Sequence, residues 1–337
     1  MKKIKVGLNG FGRIGRAIAR IASEKDFFEL VAINTSKTTP AQLAYSLKYD
    51  STYRTFNKPV KKVEDGISLS GRFIKAYNIR NPEEIPWEET GAEVIIDCTG
   101  VFKTREDLKK HLRGTVKKVI LTVPAKDETI PHVVMGVNSD AFDWQGSDII
   151  SNASCTTNCA AVMMKILQDE FGVETSFIST IHAYTSSQML VDNPADKFTR
   201  SRAAAVSIIP TTTGASDAVC KVTDLHADHM GGMAFRVPTP SGSITDITAI
   251  LKKPVTVDEI NAAFKKYAEN DLKSILDYAE DELVSADYIG ASASCTFDPH
   301  YTAVLNGTFV KCYGWYDNEW GYSNRVVDVV GQLANVL

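Results

Sequence analysis

Gly10-Phe11-Gly12-Arg13-Ile14-Gly15 lies between a short apolar strand pattern at residues 4–8 and a helical apolar face of Ala17, Ile18, Ala19 and Ile21. Glycines in G-x-G-x-x-G spacing, with a strand before and a helix after, suit a dinucleotide-binding βαβ turn. Gly10 permits the tight turn, Gly12 lets a pyrophosphate approach the backbone, and Gly15 lets helix pack close on strand. The N–H groups that open the helix then face the anion. A second strand pattern at residues 29–33 arrives at the right distance. Asn9, Gly10, Phe11, Gly12, Arg13 and Ile14 are therefore read as cofactor-binding.

The end of that second strand departs from the fingerprint. An acid is wanted about 20 residues on, to accept from the adenosine ribose. This chain carries Asn34-Thr35-Ser36-Lys37 there. Without a carboxylate nothing repels a ribose 2′-phosphate, and Thr35, Ser36 and Lys37 are able to donate to one. NAD would instead use Asn34 and backbone groups. The cofactor reading is NAD or NADP, with the balance toward NADP or dual use.

Strand patterns at 4–8, 30–33, 93–97, 117–121 and 132–137 alternate with helical ones at 40–48 and 105–112. Such alternation predicts an α/β fold with a doubly wound parallel Rossmann sheet. Thr99 and Gly100 follow one strand and Thr122 ends the next, at the carboxyl edge where open sheets bind ligands. The second half reads differently. Runs at 173–181, 232–237, 245–251 and 308–315 are longer and β-branched, and predict an α+β domain with a mostly antiparallel sheet. Helices are expected at 213–222 and 257–268. The expected division is a dinucleotide-binding domain at 1–150 and a catalytic domain at 151–321. The final helix, 322–337, is expected to pack back on the first.

Ser151-Asn152-Ala153-Ser154-Cys155-Thr156-Thr157-Asn158 precedes an apolar helical run at 160–167. A thiol at a helix N-terminus sits in the positive end of the macrodipole, which favours thiolate. Ser154 and Thr156 offer donors beside it. An isolated cysteine is more often a small buried hydrophobe, but His182 closes the strand pattern at 176–181 and supplies a base candidate. Cys159, one turn further on, is read as buried and inert. The six cysteines show no CxxC pair and no metal-ligand spacing, so no metal is expected and a reducing, cytoplasmic setting is. A net charge of −4 without a basic block argues against nucleic acid as the main partner. No stretch approaches the ~18 apolar residues of a membrane span.

Taken together, Asn9 to Gly15, Lys48-Tyr49-Asp50, Ser151 to Asn158, His182-Ala183-Tyr184-Thr185, Ile209 to Gly214, Arg236-Val237-Pro238-Thr239-Pro240 and Trp315 to Tyr322 make the chain resemble, end to end, the phosphorylating glyceraldehyde-3-phosphate dehydrogenases of bacterial or organellar type. That resemblance implies Cys155 as nucleophile and His182 as the group that keeps it ionised by imidazolium pairing and serves as general base and acid. It implies a phosphorylated aldehyde, inorganic phosphate, and oxidation through a thiohemiacetal and thioester. Ser154, Thr156, Thr213 and Gly214 are expected to seat one anion, Thr185 and Arg236 the other, with Arg200 in a nearby loop. Asn318 is expected on the nicotinamide amide, and Arg80 and Tyr322 join the cofactor residues. A homotetramer is expected. Two departures, Ser187 where the family carries an acid and Asn193 before Pro194, strengthen the NADP reading. Erythrose-4-phosphate dehydrogenase is the nearest rival, and a nucleotide-binding redox or interaction protein the other.

Overall fold

The computed structural model describes residues 3–337. The chain forms two compact units: Met1–Val133 with Ala141–Ala153 and Ser323–Leu337, and Val134–Asp140 with Ser154–Tyr322.

The first unit runs β1 (Ile4–Asn9), α1 (Arg13–Ala22), β2 (Phe28–Asn34), α2 (Pro40–Lys48), β3 (Val60–Val63), β4 (Gly66–Leu69), β5 (Arg72–Tyr77), β6 (Val94–Asp97), α3 (Arg105–Lys109), β7 (Lys118–Leu121) and β8 (Ile149–Ser151). Its sheet has the order β3-β4-β5-β2-β1-β6-β7-β8. From β5 to β8 every neighbouring pair is parallel, and β6 and β7 are buried at every residue, as strands covered on both faces must be. The doubly wound expectation holds, with an addition. β3, β4 and β5 form an antiparallel meander, turned at Ser70-Gly71 with φ of 52° and 85°. Helix α2 starts on a capping box, Thr39 with Gln42, and Pro40 pre-sets its first turn.

Three sequence expectations need correction. Residues 132–137 are not a strand: His132 alone bridges to Ser151, and β8 takes the place beside β7. The chain turns there instead, with Gly136 at φ 77° and the Val134 N–H donating to Asn138 Oδ1. The helices expected at 105–112 and 213–222 are shorter than their apolar spacing suggested.

The second unit contains α4 (Cys155–Phe171), β9 (Val173–Ala183), β10 (Ile209–Thr211), α5 (Ala215–Cys220), β11 (Met230–Val237), β12 (Ser243–Leu251), α6 (Val257–Glu269), β13 (Leu276–Tyr278), β14 (Cys295–Leu305) and β15 (Phe309–Tyr316). Its sheet, β10-β11-β9-β12-β15-β14-β13, is mostly antiparallel, but β11 pairs β9 in parallel and β13 pairs β14 in parallel. Helix α4 is the centre of this core: from Thr156 to Leu167 only Lys165 escapes full burial. Phe264 of α6 stacks on Phe297 of β14 at 3.8 Å between ring centres. The last helix, α7 (Trp320–Leu333), carries Val326, Val327, Val329, Val330 and Leu333 fully buried, on the i, i+3, i+4 spacing of a core-facing stripe.

Candidate active site

In the first unit the glycine turn has the shape its spacing demands. Gly10 sits at φ 97°, and a Cβ there would meet the Cys98 carbonyl carbon at 2.9 Å. A Cβ on Gly15 would lie 2.5 Å from the Gly10 oxygen. Gly12 faces open space and caps α1 without a side-chain hydrogen bond, so the first-turn N–H groups are presented to whatever fills that space. This fits a pyrophosphate.

The floor of the turn is a buried polar network that sequence reading did not find. Asn9 Nδ2 donates to Asp97 Oδ2 at 2.8 Å, and Asn34 Nδ2 donates to Asn9 Oδ1 at 2.8 Å and to the Ile79 carbonyl. Asp97 Oδ1 accepts from the Thr99 N–H and hydroxyl, and Trp87 Nε1 donates to His111 Nδ1. Thr122 donates to the Asp97 carbonyl. Asn9, Asn34, Thr99 and Thr122 thus direct their side-chain donors into the protein and shape the floor. Arg13 turns to Asp50 and to the face of Tyr53. Thr35 differs: its Oγ1 is buried without a partner at the end of β2, while Ser36, Lys37 and Arg80 are exposed. Phe11 is buried and Ile14 half-buried.

In the second unit, strand register builds the chemistry. Parallel pairing of β9 with β11 sets His182 opposite Arg236, so both side chains leave the same face of the sheet. Helix α4 brings Cys155 to that face. Ala153, at φ 52°, turns the chain into the helix, and Ser154 caps it by accepting from the Thr157 N–H. Cys155 Sγ lies 3.4 Å from His182 Nε2. His182 Nδ1 lies between the Ala183 carbonyl at 2.7 Å and Arg236 Nη1 at 2.8 Å, which leaves Nε2 as the ring nitrogen turned toward sulfur. Arg236 Nη1 donates to the same carbonyl at 3.1 Å.

The charge state differs from the sequence expectation of a ready ion pair. Burial pushes the Cys155 thiol up to about 11, against the opposing pull of Arg236, the Thr156 hydroxyl and the amides of Thr156 and Cys155. Burial, followed by the charges of Arg236 and Arg200, pushes His182 down to about 3, although the Ala183 carbonyl favours its protonation. Helix polarity was counted from the sequence; enclosure of both groups and a cation behind the ring were not. With protein groups alone around them, the pair is favoured uncharged.

Tyr316 is a further site residue that the sequence reading did not single out. Its buried hydroxyl bonds both Thr156 Oγ1 and Thr180 Oγ1, each at 2.9 Å, tying the first turn of α4 to β9. Its ring meets that of His182 edge-on at 6.0 Å. The signal was period two along β15, which turns Tyr316 inward beneath Cys155.

Around this centre the candidate anion groups separate. Thr185 Oγ1 bonds Ser187, Arg200 Nη1 donates to Ser187, and Arg200 Nε donates to Thr211. Arg236 is half-buried, its Nε is unpartnered, and neither it nor Arg200 pairs with a carboxylate among the described residues. Buried guanidinium without an acid is costly unless an anion arrives. Ser154 Oγ accepts from the Thr157 N–H in the cap, and Thr156 Oγ1 lies 2.9 Å from the Tyr316 hydroxyl. Thr213 accepts from the Ala215 N–H, and Gly214 faces open space. Asn318 Oδ1 accepts from Ser243 at 2.9 Å, and Tyr322 is buried. Cys159 is fully buried and all six cysteines are free thiols. Among the described residues no three His, Cys, Asp or Glu side chains are placed to hold a metal ion, and no helix is long and apolar enough to cross a membrane.

Comparison with known proteins agrees along nearly the whole chain. Residues 4–105 match the family model for the glyceraldehyde 3-phosphate dehydrogenase NAD binding domain, and residues 154–318 match that for the C-terminal domain. The chain is 48% identical over 336 residues to a glyceraldehyde-3-phosphate dehydrogenase of Streptomyces coelicolor, covering 99% of each. It is 47% identical to glyceraldehyde-3-phosphate dehydrogenase 1 of Bacillus cereus, covering 98% of each. A cytosolic enzyme of that name from Ginkgo biloba is 45% identical, over 99% of this chain and 98% of the relative.

Proposed function

Because the chain belongs to the glyceraldehyde 3-phosphate dehydrogenase family and is therefore an oxidoreductase with a nicotinamide dinucleotide cofactor, we propose that it oxidises D-glyceraldehyde 3-phosphate with inorganic phosphate to 1,3-bisphosphoglycerate, through Cys155. The carrying observation is the 3.4 Å approach of Cys155 Sγ to His182 Nε2 beside two arginines without acids.

Cys155 sulfur adds to the aldehyde carbon while His182 Nε2 takes the thiol proton. An anion seated on Arg236 offsets the charge that disfavours imidazolium, so substrate binding itself readies the base. The Cys155 N–H stabilises the oxyanion that forms, Nε2 passes the thiol's proton to it to give the thiohemiacetal hydroxyl, and the neutral Nε2 then takes that proton back as hydride leaves the carbon. Bound NAD(P) supplies the hydride acceptor that converts this adduct to a thioester. Phosphate oxygen then attacks the thioester carbon, the C–S bond breaks, and the sulfur leaves as thiolate to recover its proton from His182. Thr185, Arg200 and Arg236 form one anion seat; Thr213 and Gly214 contribute to the other. Asn318, its Oδ1 held by Ser243, keeps Nδ2 as donor to the nicotinamide amide. The working form is a homotetramer in the cytoplasm, a setting consistent with six free thiols.

Growth of reduced-nicotinamide absorbance that requires both glyceraldehyde 3-phosphate and phosphate tests this reading. Equal or faster oxidation of D-erythrose 4-phosphate, or no turnover of either, overturns it.

NADP serves at least as well as NAD. The support is Thr35, whose buried hydroxyl lacks a partner where a carboxylate would otherwise exclude a 2′-phosphate. Thr35→Asp is expected to lower kcat/KM for NADP by about 10-fold or more relative to NAD, through like-charge repulsion. Parallel steady-state assays decide, and a strong NAD preference in the unmodified protein ends the idea.

The two glycines separate fold from binding. Gly10→Ala strains both φ and the contact with Cys98, and is expected to cost about 2 kcal/mol or more in denaturant unfolding. Gly12→Ala meets nothing and leaves stability within about 1 kcal/mol, yet weakens the dinucleotide by about 10-fold or more because its methyl occupies the pyrophosphate's approach. Calorimetric NAD titration with unfolding curves checks both.

A further inference from the structure

Strands β2 and β5 run parallel but pair only over Ala32–Lys75, Ile33–Ala76 and Asn34–Tyr77. Nearer their starts the two are unpaired, while on its other edge β5 pairs with β4 from Arg72 to Lys75. Between the unpaired strand ends and the last turn of α1 lies a cavity of about 180 Å³. Its walls are Ala19, Ala22, Phe28, Leu30, Leu69 and Ile74. The two alanines are why it exists: a longer side chain at that helix turn would fill it.

The mouth is cationic. Lys58 and Arg72 border it, with Ser23 and Ser70. Lys58 Nζ is held by the Ser23 carbonyl at 2.6 Å and by Glu24 at 2.8 Å, whereas Arg72 has no carboxylate partner among the described residues. The cavity is remote from the glycine turn. Phe28 and Arg72 open their strands, while Asn34 and Tyr77 close them at the end where Gly10 follows β1.

We propose that this cavity is a second ligand site, taking a small amphipathic anion: an apolar body the size of one aromatic ring, carrying a carboxylate or a phosphate. The walls bury the body, and the free Arg72 fork pairs with the head group. Neither half suffices alone. An uncharged ligand leaves Arg72 in water, and a bare anion buries no apolar surface.

The test uses the full-length protein saturated with NAD, so that the cofactor turn is filled. 4-Phenylbutyrate, 2-phenylethyl phosphate and uncharged 4-phenylbutanamide are titrated by calorimetry, with saturation-transfer NMR as second readout. Saturable binding of at least one anion is expected, with the amide about 10-fold weaker or more, the margin of one charge-assisted contact. The two anions distinguish carboxylate from phosphate recognition. Arg72→Ala should weaken the anions about 10-fold and leave the amide unchanged. Ala22→Leu should abolish binding of all three. Arg72 is exposed, so its variant keeps the fold and the dehydrogenase turnover; if Ala22→Leu fails to fold, the Arg72 variant decides alone. Absence of saturable binding, an amide as tight as the anions, or anion affinity untouched by Arg72→Ala each overturns the proposal.

Discussion

Replacing Cys155 by alanine is expected to lower kcat by roughly 10⁴-fold or more, the scale on which loss of a nucleophile falls. No other thiol takes over. Cys159 is fully buried, and Cys295 and Cys312 lie in the core. The variant keeps its fold, because alanine is tolerated in the first turn of a helix that Ser154 still caps. Mass spectrometry after addition of aldehyde and NAD(P), with phosphate withheld, should show an acyl adduct on Cys155 in the parent protein and none in the variant. Turnover within about 10-fold of the parent would remove covalent catalysis from the mechanism.

His182→Asn should cost about 10²–10⁴-fold, the range of general acid–base catalysis, and should change the form of the pH profile. In the parent protein His182 is neutral above about 3, so a base stands ready across the neutral range. Rapid alkylation of Cys155 by iodoacetamide is therefore expected to vary little with pH between about 6 and 8. Without the imidazole the reaction depends on free thiolate. Burial sets that thiol near 11, so the variant's rate should climb close to tenfold per pH unit as pH rises toward that value. A flat profile in the variant would show that something other than His182 takes the proton. Cofactor affinity measured alongside should not change, which separates proton transfer from a general loss of structure.

Much of the fold was legible because its parts are local. The glycine spacing, flanked by Ile4 to Asn9 and the Ala17–Ile21 face, specifies a strand, a turn and a helix within a few residues. Cys155 and His182 were legible for a similar reason: each terminates a strongly patterned element. The β3–β5 meander was less visible, since its strands are four to six residues long and marked mainly by the turns at Gly66 and Gly71. Residues 132–137 look like a strand by composition, but no neighbouring edge beyond Ser151 pairs with them. Tertiary pairing, which composition does not encode, decided that segment.

The polar details were the least legible. Asn9 and Asn34 looked like ligand donors, and they turn out to bond each other across adjacent strands 25 positions apart. Tyr316 meets Thr156 across 160 positions. The cap bond of Ser154 and the contact of Thr156 with a buried phenol were likewise not visible in the sequence. The burial that pushes the Cys155 thiol up, and the cation that pushes His182 down, were invisible for the same reason, since Arg236 is supplied by β11, far along the chain.

The parallel pairing of β9 with β11 has a consequence for biogenesis. Arg236 comes opposite His182 only after the intervening loops and helix α5 have been traversed, and Tyr316 is added later still. Contacts of such long sequence separation close late in folding. A chain in which β11 and β15 have not docked thus lacks the cation opposite His182 and the phenol that ties α4 to β9. The reaction centre is completed only as the sheet closes, after the strands that carry its cation and its phenol have been synthesised.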